Sequence, residues 1–305
     1  IRLLSQGKLQ FAMSNSSITY FAVRGEEGWE ETHATQSVMT LFPNVAQFVV
    51  PAASEIQSIA DLKGKRLGYV KGNPSVNVKQ DAYLAFGGLT RADVQPVWFG
   101  SYNAMKTALL NNQLDAFGSV TTSANMREIE ASPRGLVWPP FPASETAGWE
   151  RLRQVADFFE PYKETVGAGI SPEKPVALVG YRYPIIATYA NTSADEVYSL
   201  VKAIDESMDL IKNITGSSKN WAPDISGKPP ADAPWHDGAI KYLKEKGIWT
   251  AEHQAWQDKR LARLKKLQAG WVDAQKTFKG EGDEAWVKHW ENYRVKTLGM
   301  QPTDA

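Results

Sequence analysis

One stretch of the chain has the residue types and spacing to receive a small charged molecule. Gly72-Asn73-Pro74-Ser75-Val76-Asn77 lies between an apolar run, Arg66-Leu67-Gly68-Tyr69-Val70, and a helical pattern that places Val78, Ala82, Ala85 and Phe86 before Gly87-Gly88. A helix start presents free N–H groups and the positive end of the macrodipole, which suit a carboxylate. Gly72, Asn73, Ser75, Val76 and Asn77 are therefore candidate ligand-binding residues, with Ser75 either the N-cap or a direct donor. Asn15 and Ser16, in the polar cluster Ser14-Asn15-Ser16-Ser17, stand at a similar helix start and join them. Thr121 and Thr122 follow the strand candidate Leu114–Gly118 and read equally well as cap or ligand group. Tyr102 opens another helix, where it could stack on a ligand, lend its hydroxyl or simply fill a core. Tyr183 is the last candidate, beside Arg182, whose guanidinium could grip a carboxylate bidentately.

Covalent chemistry has little to work with. The four histidines, His33, His236, His253 and His289, fall in no metal-binding spacing. His236-Asp237 has no G-x-S-x-G elbow to supply a nucleophile, and a surface or capping role for His236 is the simpler reading. No phosphate-binding Gly-rich loop with its Lys is present. With zero cysteines, thiolate nucleophiles, Cys-based zinc sites and disulfides are excluded. No catalytic residue, metal or cofactor is expected.

These residues need a scaffold, and the chain has enough material for one. It has 305 residues, 43 % of them hydrophobic, including 11 Trp, which suits two lobes or one large domain and excludes global disorder. The 34 basic and 34 acidic residues cancel, so no polyanion-binding surface and no nucleic-acid partner is expected. No apolar run reaches the ~18–20 residues that span a bilayer, and no signal-peptide pattern is visible. Short apolar runs at 9–13, 47–50, 66–70, 97–99, 114–118 and 176–187 alternate with helical patterns, which predicts an α/β fold with parallel sheets. In such sheets ligands bind beyond the carboxyl ends of strands, where the small polar clusters fall. Ser58–Asp61 has capping-box spacing, and Thr192-Ser193-Ala194-Asp195-Glu196 holds two overlapping ones ahead of a well-patterned helix. That helix, with Val197, Leu200, Val201, Ile204, Met208 and Ile211 on one face, is expected to stop at Gly216. From about Thr250 the pattern becomes two amphipathic helices rich in Trp.

Several motifs, in order, resemble the TAXI branch of solute receptors for tripartite ATP-independent periplasmic (TRAP) transporters, within the type II periplasmic-binding-protein superfamily. They are residues 1–25, Asp61-Leu62-Lys63-Gly64-Lys65-Arg66, Ser101-Tyr102-Asn103-Ala104 with Leu114-Asp115-Ala116-Phe117, and His236–Tyr242 with Glu245-Lys246-Gly247. The resemblance covers residues 1–250. It implies a two-lobed α/β fold with interleaved lobes, two crossover strands and a C-terminal helical extension. Lobe one would comprise 1–52 and 184–249, lobe two 53–183, and the extension 250–305. The family's opening strand, Gly-rich loop and helix have no counterpart before Ile1, so lobe one reads as incomplete, and Asn15-Ser16-Ser17 lacks the acid of the family's Gln-Ser-Asp loop. The function implied is capture of a small organic anion, a carboxylate or amino acid, by hinge closure in the periplasm, for delivery to the membrane permease subunits of a TRAP transporter. Two other functions fit the same fold: an enzyme acting on a pyrimidine precursor, and a ligand-sensing module with a protein partner.

Overall fold

The computed structural model describes residues 1–14, 16–26, 29, 31–40, 43–214, 218–229, 231 and 233–300. The chain divides into two compact units that interleave in sequence. Unit 1 draws on the stretches 1–42 and 182–302, and unit 2 is 43–181. The exchange points, 42/43 and 181/182, compare with 52 and 183 in the sequence reading. The α/β class and the interleaving are as expected.

Unit 1 begins with α1 (Arg2–Ser5), β1 (Ala12–Ser14), α2 (Ser16–Arg24) and β2 (Thr35–Thr40). Gly25, at φ 66°, follows α2 where the sequence marks its stop.

Unit 2 is built on a six-stranded mixed sheet. Its strands are β3 (Pro43–Val49), β4 (Arg66–Val70), β5 (Gln95–Phe99), β6 (Ala116–Val120), β7 (Glu160–Glu164) and β8 (Val176–Arg182), in the order β5-β4-β6-β3-β8-β7. The expectation of a parallel sheet holds for its β5-β4-β6 part. β3 runs antiparallel to β6, and β7 antiparallel to β8. The reason is local: β7 and β8 lack the helical crossover that parallel neighbours require. The helices of this unit are α3 (Pro74–Phe86), α4 (Tyr102–Leu110), α5 (Ala124–Glu130) and α6 (Thr146–Val155). α3 is the central one, buried at Ser75–Gln80, Ala82–Leu84 and Phe86. Its Tyr83 ring meets Phe48, Phe141 and Phe159 at centroid distances of 5.4–5.8 Å.

The capping box expected at Ser58 forms. Asp61 accepts hydrogen bonds from the Ser58 amide (2.8 Å) and hydroxyl (2.9 Å), and those bonds hold its carboxyl below the usual range. Arg66, at the start of β4, grips Asp115 just before β6, with Nη2 2.7 Å from Oδ1 and Nε 3.1 Å from Oδ2. This ties together the two strands whose ends carry α3 and the site described below.

The return to unit 1 gives β9 (Ile185–Tyr189), which lies between β1 and β2 in an antiparallel three-stranded sheet. α7 (Ala194–Glu206) follows, with Val197 and Val201 buried, but neither overlapping capping box forms. Thr192 is bonded to Thr188 instead (2.7 Å), which takes its hydroxyl away from the helix start. The turn at Gly216 lies outside the described residues. α8 (Met208–Ile211), α9 (Pro223–Ser226) and α10 (Asp237–Glu245) lead to α11 (Ala251–Thr277) and α12 (Asp283–Lys296). The Trp-rich stripe of these last helices packs within unit 1: Leu264, Leu267, Trp271 and Trp290 share a core with Val23 and Ala233, and Trp290 donates from Nε1 to the Arg24 carbonyl (2.9 Å).

Candidate functional site

The sequence candidates separate once the backbone is in place. Asn15 and the side chain of Ser16 lie outside the described residues. Gly72 has φ 65° in an exposed turn, a conformation that favours glycine. Asn73, not Ser75, is the N-cap of α3, and its Oδ1 accepts from the Val76 amide (3.2 Å). Pro74 explains this correction: it has no N–H and a helical φ, so it takes the first helical position and puts the cap on the residue before it. Ser75 is thereby inside the helix and buried. The free helix end inferred from sequence is partly occupied by its own cap.

Asn77 is also reassigned. Its Oδ1 accepts from the Val70 amide (3.0 Å) and its Nδ2 donates to the Val70 carbonyl (2.9 Å). The side chain fastens the end of β4 to the first turn of α3 and is engaged at both ends, so it is a structural clamp rather than a ligand donor. Thr121 is buried and donates to Glu164 Oε2 (3.3 Å), while its carbonyl accepts from the Ala168 amide (3.0 Å). Thr122 is exposed. Tyr183 is 37 % exposed and belongs to unit 1 with Arg182, which is buried and donates from Nη1 to the Ile225 carbonyl (3.3 Å). His236 caps α10 through Nδ1, which accepts from the Gly238 amide (3.2 Å), and burial lowers its basicity.

Two candidates, Val76 and Tyr102, meet at a small cavity in unit 2. Lys79, Gln80, Tyr83, Gly118, Ser119, Val120 and Tyr181 complete its lining. It sits at the carboxyl half of β6, against the face of α3 that carries residues 76, 79, 80 and 83. These positions follow the i, i+3, i+4, i+7 rule of one helical face. The cavity measures ≈ 20 Å³ by the volume open to water centres, room for about one water-sized group. Tyr102, 37 % exposed, stands at its rim.

Its polar groups are mostly donors. Lys79 is buried, with Nζ 3.4 Å from Tyr181 Oη and 4.6 Å from the centre of that ring. Burial alone lowers its pKa from 10.5 to about 7. Gln80, 1 % exposed, accepts at Oε1 from the Gly118 amide (3.0 Å), while its Nε2 has no hydrogen-bond partner. Gly118 permits the approach, since a Cβ there would lie 3.1 Å from Gln80 Cγ. Tyr83 Oη is also buried and without a partner. Burial, then the nearby hydroxyls of Tyr181 and Tyr102, keep that phenol protonated.

Two acids of the elements around the cavity, Asp81 on α3 and Glu164 on β7, are engaged elsewhere. Asp81 accepts from Tyr69 Oη (2.9 Å) and pairs with Arg91. Glu164 accepts from Thr121 and from the Thr165 and Val166 amides (2.9 and 3.0 Å). Among the described residues no group of three His, Cys, Asp or Glu could hold a metal ion, and no helix is long and apolar enough to cross a membrane. The sequence reading missed Lys79, Gln80, Tyr83, Ser119 and Tyr181. The signal for the first three was a lysine and an amide on the same helical stripe as Val76 and Tyr83.

A family model described as the NMT1-like family matches residues 1–247. Among solved structures, the chain is similar to the periplasmic aliphatic sulphonate binding protein SsuA from Escherichia coli, with 15 % identity, a TM-score of 0.45, and coverage of 97 % of this chain and 84 % of that one. It is also similar to the alkanesulfonate-binding protein SsuA from Xanthomonas axonopodis pv. citri bound to MOPS (18 %, TM-score 0.37, 80 % and 68 %). A third similarity is to the amino acid transporter substrate-binding protein AbpA from Streptococcus pneumoniae bound to L-arginine (12 %, TM-score 0.32, 88 % and 72 %).

Proposed function

The chain belongs to the NMT1-like family, and from that premise we propose that it is an extracytoplasmic solute receptor, which captures a small organic anion and passes it to a membrane transporter. The observation that carries this reading is the cavity on α3, where a buried amine, an amide nitrogen and a phenol converge with no carboxylate among the lining residues. Such a lining receives an acceptor-rich group. Capture by hinge closure, with the closed state favoured by the bound ligand, is the proposed mechanism.

A finer assignment adds the transporter class. The order of motifs between residues 1 and 250 supports a TAXI receptor working with the permease subunits of a TRAP transporter, in the periplasm, with a carboxylate or amino acid as solute. Native mass spectrometry of the purified chain tests the receptor reading directly. A co-purifying or added small anion bound at one saturable site, with contraction in small-angle scattering, is the expected result. No saturable small-molecule binding would overturn it.

A further inference from the structure

Three donors share one face of α3, and their partners do not account for them. Gln80 Nε2 and Tyr83 Oη are each in a residue 1 % exposed and have no hydrogen-bond partner. Lys79 Nζ has one long contact, 3.4 Å to Tyr181 Oη. A buried donor without an acceptor is costly, and several around one cavity are rarer still. All three line the same small space with Ser119, Tyr102 and Tyr181.

We propose that Lys79 Nζ, Gln80 Nε2 and Tyr83 Oη form the subsite that receives one oxygen of the solute's terminal oxyanion, a carboxylate or a sulfonate. The inference rests on the receptor reading and names the side chains that hold the charged end. The size of the cavity sets the limit: it takes a single oxygen, while the remainder of the solute lies beyond the rim at Tyr102. Its chemistry sets the sign of the charge. A cationic end group would need a carboxylate, and none lines the cavity; Asp81, beside Gln80 on α3, is bonded to Arg91, and Glu164 on β7 to Thr121. The other titratable groups around Lys79 are phenols: Tyr83 on α3, Tyr102 on α4 and Tyr181 on β8. None of these supplies a counter-charge near neutral pH. The arriving oxyanion would supply it, and the amine would take up a proton as the anion binds. Binding is therefore stronger below pH 7 than well above it.

The test uses the full chain with sodium acetate and sodium methanesulfonate as probes and acetamide as the uncharged control, read as thermal shift and as heat of binding in two buffers. The expected result is stabilisation by both anions with proton uptake, and none by acetamide. Comparing the two anions tells which end group the subsite prefers. Lys79→Met should weaken anion binding roughly ten- to hundred-fold, the worth of a charge-assisted hydrogen bond. Tyr83→Phe, which removes only a hydroxyl, should weaken it several-fold and serves if the lysine variant folds poorly. Equal responses to acetamide and acetate, or a Lys79→Met chain that binds the anions as tightly as the parent, would overturn the subsite. A co-purified solute held equally well by Lys79→Met overturns the subsite and leaves the receptor reading standing. If no solute binds saturably while acetate still acts through Lys79, the receptor reading falls instead.

Discussion

Gln257 and Gln80 are the same residue at the same burial, 1 % exposed, one in each unit. On α11, Gln257 accepts from the Trp235 amide and donates to the Trp235 carbonyl, both at 2.8 Å. On α3, Gln80 uses its oxygen on Gly118 and leaves its nitrogen unpaired beside Lys79 and Tyr83. The first amide is a closed structural bond. The second is half of one, and its other half faces a cavity. Unit 1 has buried atoms without a hydrogen-bond partner as well, among them Glu26 Oε2 and the Trp235 indole N–H, but the first belongs to a carboxylate paired with Arg24 and the second stands beside a satisfied clamp. In unit 2 two orphans and a nearly unpaired amine share one space. A single unsatisfied donor is a packing defect; a cluster of them around a cavity reads as a place for a guest.

Matched substitutions should expose this difference most sharply. Gln257→Leu leaves the Trp235 amide and carbonyl without partners, and should lower stability by about 3 kcal/mol. Gln80→Leu strands one amide but also removes an unpaired NH₂ group, and should lower it by about 1 kcal/mol. Denaturant melts of both variants check this. Equal losses would break the comparison.

Lys79→Met should move stability in the other direction. The amine titrates near 7 in the folded chain against 10.5 for the free group. Between those values the unfolded chain binds more protons, so the parent gains stability as pH rises from about 7 towards 10.5. The methionine variant has no such dependence. It should be more stable than the parent by about 2 kcal/mol near neutral pH, a gain that shrinks as pH approaches 10.5. Thermal melts across that range provide the measurement. A stabilising change that also weakens anion binding is the trade expected of a group kept for function. A destabilised variant would mean that Lys79 belongs with Gln257 as a structural residue.

The β4–β6 tie should show a smaller effect with the same pH sense, but in the acid range rather than the alkaline one. Asp115 is held below the usual carboxylate range, chiefly by its hydrogen bonds to the Arg66 side chain. Its folded pKa is therefore below the unfolded value of 3.8. The stability it contributes is present above that value and is lost as pH falls through the folded one. Asp115→Asn should cost about 1 kcal/mol at neutral pH, discounted because the pair is partly exposed, and less in acid. Acid titration of both chains checks it. Acetate binding should be unchanged, because the pair holds the sheet under the cavity rather than lining it.

Much of the fold was legible because its signals are local. Apolar runs gave β4 and β6, and Gly72-Asn73-Pro74 marked the entry to α3 within a residue. Sheet direction was not legible: β7, Glu-Pro-Tyr-Lys-Glu at 160–164, has no apolar run to mark it as a strand, and only its antiparallel partner β8 lies in a run the sequence shows. The site was half legible. Val76 and Tyr102 line the cavity, but Asn77 and Thr121 proved to be clamps, because a polar residue after a strand serves a backbone as readily as a ligand. Lys79 was passed over because a lysine in a helix usually reaches water. Its burial depends on Tyr181, 102 residues later, and no local pattern contains that contact.

The smallest effect concerns the start of α3, where sequence and structure disagree about one residue. Asn73 accepts from the Val76 amide, so Asn73→Ala removes a real cap and should cost about 1 kcal/mol. Ser75 lies inside the helix with Pro74 before it, so Ser75→Ala should cost less than about 0.5 kcal/mol. If anion binding depends on the free helix end, as the sequence suggests, Ser75→Ala should weaken acetate binding as much as Lys79→Met does. If it depends on the donors of the cavity, Ser75→Ala should leave acetate binding within about two-fold of the parent, the scatter of a neutral side-chain change. Calorimetry on the two variants side by side decides between the helix end and the buried amine, and on this structure the amine is the group with a charge to gain.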